Sequence, residues 1–343
     1  MNAPKVSVII VNHNDGAYLQ GCLQSVFNND YPLFEVILVD NGSTDNSLEL
    51  VKQFLPQEAR LKIVPLKKNY GFAMGNNIGV ANCSNESELL VFLNADTIVD
   101  KRWLIELIRA MEDEAVGVAA PKILSMSRPN ILDCAGCLID ELGYPIERRR
   151  GLPDSGLFDN SKEILYAKGA SLMVRKKLFK LLRGFDDSFF IYYEETDLCW
   201  KIWLMGLKVV YTPKSVIYHD YERAFKRKAD NPKKDGKVAY LMERNRLMTM
   251  TQNMEASTLL KCLPLAFAVL MGSMVIDIFR KKPSCFKAKF YASCSIVQNL
   301  PQIIRKRRFV QRVLRRIDDK DLFSRSIIRR HRFLCYTHQS VVA

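Results

Sequence analysis

Two carboxylates, one imidazole and one run of acids have the residue types and surroundings for chemistry. Asp40 closes an apolar run over residues 34–39 and is followed by Asn41, Gly42, Ser43, Thr44 and Asp45. A carboxylate there can accept from the imide N–H of a pyrimidine, and the turn behind it offers backbone N–H groups. The same segment is ordinary turn and helix-capping chemistry when taken alone. Asp96 closes a second apolar run, residues 89–93, after Asn94 and Ala95. Hard cations such as Mg²⁺ or Mn²⁺ prefer oxygen ligands, and a diphosphate leaving group needs such a cation. His219 is one of four histidines and follows a strand-like run, so its neutral imidazole can join Asp96 on the metal. Glu194, Glu195 and Asp197 come directly after the aromatic residues 189–193. Acids at a helix start favour the dipole, but three within four residues exceed what capping needs. A carboxylate in an aromatic-walled pocket can act as a general base on an attacking hydroxyl.

These residues need a frame that brings distant segments together. Residues 1–120 alternate short β-branched runs (6–11, 34–39, 61–66, 89–93, 116–120) with amphipathic stretches (17–27, 45–54, 73–81, 101–111). That rhythm predicts a mostly parallel sheet with helices on both faces. Ligands of such sheets sit at the carboxyl ends of the strands. The loops there are polar: Asn12, His13, Asn14, Asp15 and Gly16; then 40–45; then Asn69, Tyr70 and Gly71; then 94–96. Residues 121–165 read as short strands with a mobile loop. Strands follow at 170–174 and 208–211, a helix at 196–205, and a Lys-rich loop over 221–237. In that loop Arg223, Lys226, Arg227 and Lys228 could fold over a diphosphate as a lid. Helical patterns then run to about residue 332.

Charge divides the chain in the same way. The net charge is +14, and residues 280–332 hold 17 of the 51 Lys and Arg with only three acids, so the tail carries the whole excess. Such a tail points to a polyanionic surface. The apolar run 262–276 before it reaches roughly 22 Å as a helix, short of the ~30 Å hydrocarbon core, which favours a buried or interfacial helix over a span. Arg280, Lys281, Lys282 and residues 305–308 would meet anionic headgroups, at about 1 kcal/mol per base. Nine scattered cysteines suggest a reducing compartment, and the start of the chain lacks the pattern of an export signal. The expected location is the cytoplasmic face of the plasma membrane, peripheral or monotopic.

Taken together, the segments Val6-Ser-Val-Ile-Ile-Val-Asn12, Val36-Ile-Leu-Val-Asp40-Asn-Gly-Ser-Thr-Asp45, Asn69-Tyr-Gly71-Phe-Ala-Met-Gly75-Asn76-Asn77, Phe92-Leu-Asn94-Ala-Asp96, Lys168-Gly169-Ala170 and Phe190-Ile-Tyr-Tyr-Glu-Glu195-Thr-Asp197-Leu-Cys-Trp200-Lys resemble the family 2 glycosyltransferases. The resemblance covers about residues 5–220 and is closest to the rhamnosyltransferase-like branch. It implies a GT-A-type, Rossmann-like α/β domain over 1–237, followed by a helical, basic, membrane-associating region over 238–343. It implies inverting transfer from a nucleoside diphosphate sugar, dTDP-rhamnose or a UDP-sugar, to a glycan or lipid-linked acceptor in surface polysaccharide synthesis. In this reading Asn12, Asn14, Asp40, Asn41, Gly42, Asn69, Gly71, Asn76, Asn94, Ala95 and Gly169 surround the donor. Asp96 and His219 hold Mn²⁺ or Mg²⁺, and Glu195 is the base, with Asp197 and Glu194 behind it. Two positions depart from the family pattern. Asn94 replaces the first acid of the metal motif, and Glu195 stands where the family usually has Asp, shifting the carboxylate by about 1.5 Å.

Other readings have less behind them. Gly71, Gly75 and Gly79 suggest a dinucleotide loop, but the first strand leads into Asn12 and His13 rather than a glycine fingerprint. A nucleotidyltransferase would need a Gly-rich triphosphate loop near the start. A nucleic-acid-binding role for the tail has no recognition motif in the body, so no nucleic acid is expected as a partner. Cys134 and Cys137 form a lone pair and read as structural.

Overall fold

The computed structural model describes residues 3–54, 58–160, 162–221 and 232–331. The predicted rhythm is present. Strand β1 (Val6–Asn12) leads to helix α1 (Gly16–Phe27), β2 (Phe34–Asp40) to α2 (Ser47–Phe54), and β3 (Leu61–Pro65) to α3 (Phe72–Ala81). Then come β4 (Leu89–Asn94), β5 (Thr97–Val99), α4 (Trp103–Ala110) and the long β6 (Val116–Ser125). Strands β1, β2 and β4 are buried almost throughout, as parallel strands covered on both faces must be. Helix α3 lies close on them because its glycines leave room. A Cβ on Gly79 would stand 2.4 Å from the Ile9 side chain, and one on Gly75 would stand 3.0 Å from Val11. These glycines therefore serve helix-to-sheet packing.

Short strands follow: β7 (Leu132–Cys134), β8 (Cys137–Asp140), β9 (Pro145–Glu147) and β10 (Lys162–Glu163). The chain then forms β11 (Ser171–Arg175), α5 (Lys176–Leu181), α6 (Glu194–Leu204) and β12 (Lys208–His219). The two runs expected around 208–211 and 215–218 are one strand, with a register shift between Thr212 and Val216. The main sheet runs β10-β12-β6-β11-β4-β1-β2-β3, with β5 on β12 and β7 on β6. The β4-β1-β2-β3 half is parallel, and β11 enters antiparallel between β4 and β6.

The C-terminal region is helical: α7 (Pro232–Asn253), α8 (Ala256–Phe279), α9 (Pro283–Gln298), α10 (Leu300–Phe309) and α11 (Asp319–Ser324), then β13 (Ile328–Arg329). It is built into the body rather than appended to it. Helix α7 buries Asn245, Arg246, Thr249, Gln252 and Asn253, and β13 pairs with β8 in a small second sheet. Helix α8 is longer than the 15 apolar residues suggested, because it continues past Lys261 at its start and Asp277 at its end. Its 24 residues reach about 36 Å, enough to cross a bilayer by length. Yet Cys262, Ala266, Leu270 and Met274, one residue in every four, are buried, and Asp277 pairs with Lys289 of α9 at 2.6 Å. One face thus lies along the fold, while Leu260, Met271, Val275, Ile278 and Phe279 are exposed.

Candidate active site

Strand register assembles the donor side of the site. Asn12 pairs with Asp40 across β1 and β2, and Val11 pairs with Asn94 across β1 and β4, so three polar strand ends share one edge. Asn12 Nδ2 donates to Asp40 Oδ1 at 2.8 Å and to Ser43 Oγ at 2.9 Å, leaving Asn12 Oδ1 buried without a partner. Asp40 is 3% exposed, the right degree of enclosure for reading a base edge. The neighbouring amides tie loops together. Asn14, at φ 60°, accepts from the backbone N–H of Thr44 and Asp45. Asn41 accepts from Tyr70 N and donates to Asn69 Oδ1 and to Gly71 O, while Asn69 Oδ1 accepts from Gly71 N. Gly42 and Gly71 are required as glycines. Both have positive φ, and a Cβ would meet the Lys68 backbone at 2.5 Å in one case and Phe190 O at 2.5 Å in the other. Asn76, on α3, donates to Phe72 O and keeps a buried, unpartnered Oδ1. Ala95 is buried at the end of β4, beside Asn94.

A second set of pairings brings together Asp96 and His219, the two residues expected to bind a metal. The end of β12 lies against β5, with His219 opposite Thr97, the residue after Asp96. His219 Nε2 stands 3.5 Å from Asp96 Oδ1. On its other side β12 pairs with β6, and β6 carries β7, so Asp133 reaches His219 Nδ1 at 2.9 Å. Sequence reasoning missed Asp133, because only the sheet order makes it a neighbour. Lys168 Nζ in turn donates to the other Asp133 oxygen at 2.8 Å. Burial works against the charge on Asp133, but Lys168 and His219 outweigh it and hold the carboxyl down to about 2. Burial also opposes the charge on His219, yet Asp133 and Asp96 push it up to about 9.

The pair fits a divalent ion. With Nδ1 donating to Asp133, the imidazole presents Nε2 towards Asp96, and a 3.5 Å gap can be bridged by two bonds of about 2.1 Å. Among the described residues no set of three His, Cys, Asp or Glu side chains surrounds one point, so further ligands would come from diphosphate and water. The proposed lid residues Arg223, Lys226, Arg227 and Lys228 lie outside the described residues.

The acids stand beyond Lys168. Glu195 packs on Gly169, where a Cβ would lie 3.4 Å from Glu195 Oε1; its Oε2 is buried and has no partner. Burial raises the Glu195 carboxyl to about 7 against the pull of its own backbone N–H, the Gly169 N–H and Lys168. Glu194 is buried as well, and burial plus the neighbouring Glu195 push its carboxyl well above the usual range. Asp197 is placed differently. One oxygen is held by Lys201 and the other accepts from Asn253 Nδ2 at 2.8 Å, so this acid ties α6 to α7. It is not available as the base that the sequence allowed as second choice. A continuous line thus runs from Asp96 through His219, Asp133 and Lys168 to Gly169 and Glu195. Cys134 and Cys137 are buried thiols 3.3 Å apart, beside Asp133 in the chain.

Comparison with known proteins identifies the family and the fold. The family model described as glycosyl transferase family 2 matches residues 7–133, and the one described as glycosyl transferase family group 2 matches residues 89–295, more than half of the chain. Over 246 residues, 69% of this chain, it is 29% identical to the O-antigen biosynthesis protein RfbC of Myxococcus xanthus, covering 19% of that protein. It is 26% identical over 219 residues to rhamnosyltransferase WbbL of Escherichia coli strain K12, covering 61% of this chain and 80% of WbbL. The chain spans 19%, 37% and 26% of the length of the first three curated relatives it matches. Among solved structures, the mannosyltransferase PcManGT from Pyrobaculum calidifontis in complex with GDP-Man and Mn²⁺ shares the fold, with a TM-score of 0.50, 17% identity and 88% of each chain covered. With the strand-end carboxylates, the Asp96–His219 pair and the acid helix on one mostly parallel sheet, the chain belongs to the family 2 glycosyltransferases and has their GT-A fold.

Proposed function

We propose that this protein transfers a sugar, with inversion, from a nucleoside diphosphate donor to a hydroxyl of a glycan or lipid-linked saccharide in surface polysaccharide synthesis. The observation that carries the reading is Glu195, whose unpartnered oxygen is buried and whose carboxyl titrates near 7, a residue away from the Lys168 that braces the metal pair. A general base works best with a pKa near the working pH. Glu195 takes the proton of the acceptor hydroxyl as its oxygen bonds to the anomeric carbon. The bond from that carbon to the phosphate oxygen breaks on the opposite face, and the nucleoside diphosphate leaves with the electron pair. Bound Mn²⁺ or Mg²⁺ supplies positive charge to that departing diphosphate. Asp96 and His219 would hold it, Asp133 would fix the imidazole tautomer, and Asp40 would accept from the nucleobase.

The sequence similarity to a rhamnosyltransferase makes dTDP-rhamnose the first donor to test and UDP-sugars the next. Purified protein with Mn²⁺ is screened against a panel of nucleotide sugars, reading thermal shift and nucleoside diphosphate release. A donor that shifts the melting temperature and is consumed, with an acceptor product of inverted anomeric configuration by NMR, is the expected result. A product that retains configuration overturns the role given to Glu195. The exposed apolar face of α8, followed at once by Arg280, Lys281 and Lys282, supports attachment to an anionic membrane surface at the cytoplasmic face. The buried stripe along α8 favours a helix lying on the membrane over one crossing it. Cosedimentation with phosphatidylglycerol vesicles and release by high salt would agree with that; resistance to both salt and alkaline carbonate would favour a span.

A further inference from the structure

The acid helix is entered through an unusual backbone. Phe190, Tyr192 and Tyr193 all have left-handed φ values, 66°, 75° and 71°, although bulky side chains avoid this region. Such a run persists only where its surroundings over-determine it. Here the surroundings are two helices distant in sequence. The Phe190 carbonyl accepts from Phe72 N at 2.6 Å and from Ala73 N at 3.3 Å, which docks the loop on the start of α3. The other carbonyls turn towards α7. Asn245, fully buried, directs its single Nδ2 to Phe189 O at 3.0 Å, Ile191 O at 3.0 Å and Tyr192 O at 2.8 Å. Arg244 Nη2 adds Ser188 O at 2.6 Å and Phe189 O at 3.0 Å. Tyr193 Oη is anchored on Gly143 O at 2.9 Å.

We propose that Asn245, supported by Arg244, is a positioning residue for the transfer: its amide holds the left-handed aromatic run in the one shape that sets Glu195 against Gly169. The inference rests on the base role given to Glu195. It goes beyond that role by making a helix of the C-terminal region part of the catalytic apparatus. An aliphatic residue of similar volume would fill the space but take the Asn245 donor away from the Ile191 and Tyr192 carbonyls, while Phe189 O would keep Arg244 and Ile191 N, so the loop would relax after residue 190 and carry Glu195 with it. Displacement of a reacting group by about 1 Å can cost about 100-fold in rate.

The test uses the full chain with Mn²⁺ and dTDP-rhamnose, or UDP-glucose if rhamnose is not taken, reading nucleoside diphosphate release. Asn245→Ala should lower kcat about 100-fold while donor affinity by calorimetry stays within about twofold. Hydrogen exchange over residues 187–195 should speed up. The acid limb of the kcat profile should move to lower pH, because a loosened Glu195 is more hydrated; Glu194, Lys168, Tyr166 and Cys199 are the titratable groups facing it. Leu247→Ala, which truncates a buried residue of the same helix, should lower the melting temperature yet leave kcat per folded molecule and the pH limb unmoved. If Asn245→Ala does not fold, Asn245→Asp keeps the volume and removes the donor, and the same readouts apply. Unchanged kcat and exchange in the Asn245 variants, with Glu195→Gln inactive, overturns the inference. An active Glu195→Gln overturns the base assignment instead.

Discussion

The two halves of the site are built by different means. On the donor side, Asn12, Asp40 and Asn94 each end a buried strand of a parallel sheet, and register alone puts them side by side. Their loops are tied to one another by side-chain amides and shaped by glycines at positive φ. On the acid side, Glu195 follows a strained aromatic turn held by α3, α7 and the Gly143 loop. The first half is specified by regular strand register. The second depends on irregular contacts between residues 50 or more positions apart, so its chemistry is the more exposed to distant change.

The sharpest break of that contrast is Glu195→Gln, which should cost about 1,000-fold in turnover while leaving donor-induced thermal stabilisation intact. If donor binding fell as well, the two halves would not be separable. Next is Asp133→Asn, which removes the charge behind His219 and should weaken Mn²⁺ binding about 10- to 100-fold by titration calorimetry in the presence of a nucleoside diphosphate. The pH profile is gentler. With its carboxyl near 7, Glu195 is protonated below that pH and cannot accept, so kcat should fall about tenfold per unit on the acid side. The stability share of this group runs the other way: its folded pKa is raised, so its contribution is present at low pH and is lost as pH rises through about 7. Smallest in catalytic terms is Gly42→Ala, which forces a Cβ against the Lys68 backbone. It should lower stability by about 2 kcal/mol, read by chemical denaturation, with the acid side undisturbed.

Much of this was legible in the residues themselves. The alternation of apolar runs and amphipathic stretches predicted the sheet, and the polar residues at run ends marked the crevice, because strand ends and helix starts are local features. Asp96 and His219, 123 positions apart, were paired from chemistry and resemblance, and β5 lying on β12 is what joins them. Asp133 carried no signal, since it sits in a short strand that is brought beside His219 by pairing with β6. Asp197 misled because an acid at a helix start looks the same whether it faces a crevice or a lysine. The length of α8 was underestimated because Lys261 and Asp277 bound the apolar run, whereas the helix continues past both charged residues.

From the sequence alone came the layered α/β frame, with the donor edge and the base named as candidates. These follow from periodicity and from which side chains can do acid–base or metal chemistry. Tertiary structure alone decided which acid is open and which is tied, what orients the imidazole, and that α7 clasps the loop carrying the base. Those depend on distances and burial between distant segments, and a pattern read along one chain contains neither.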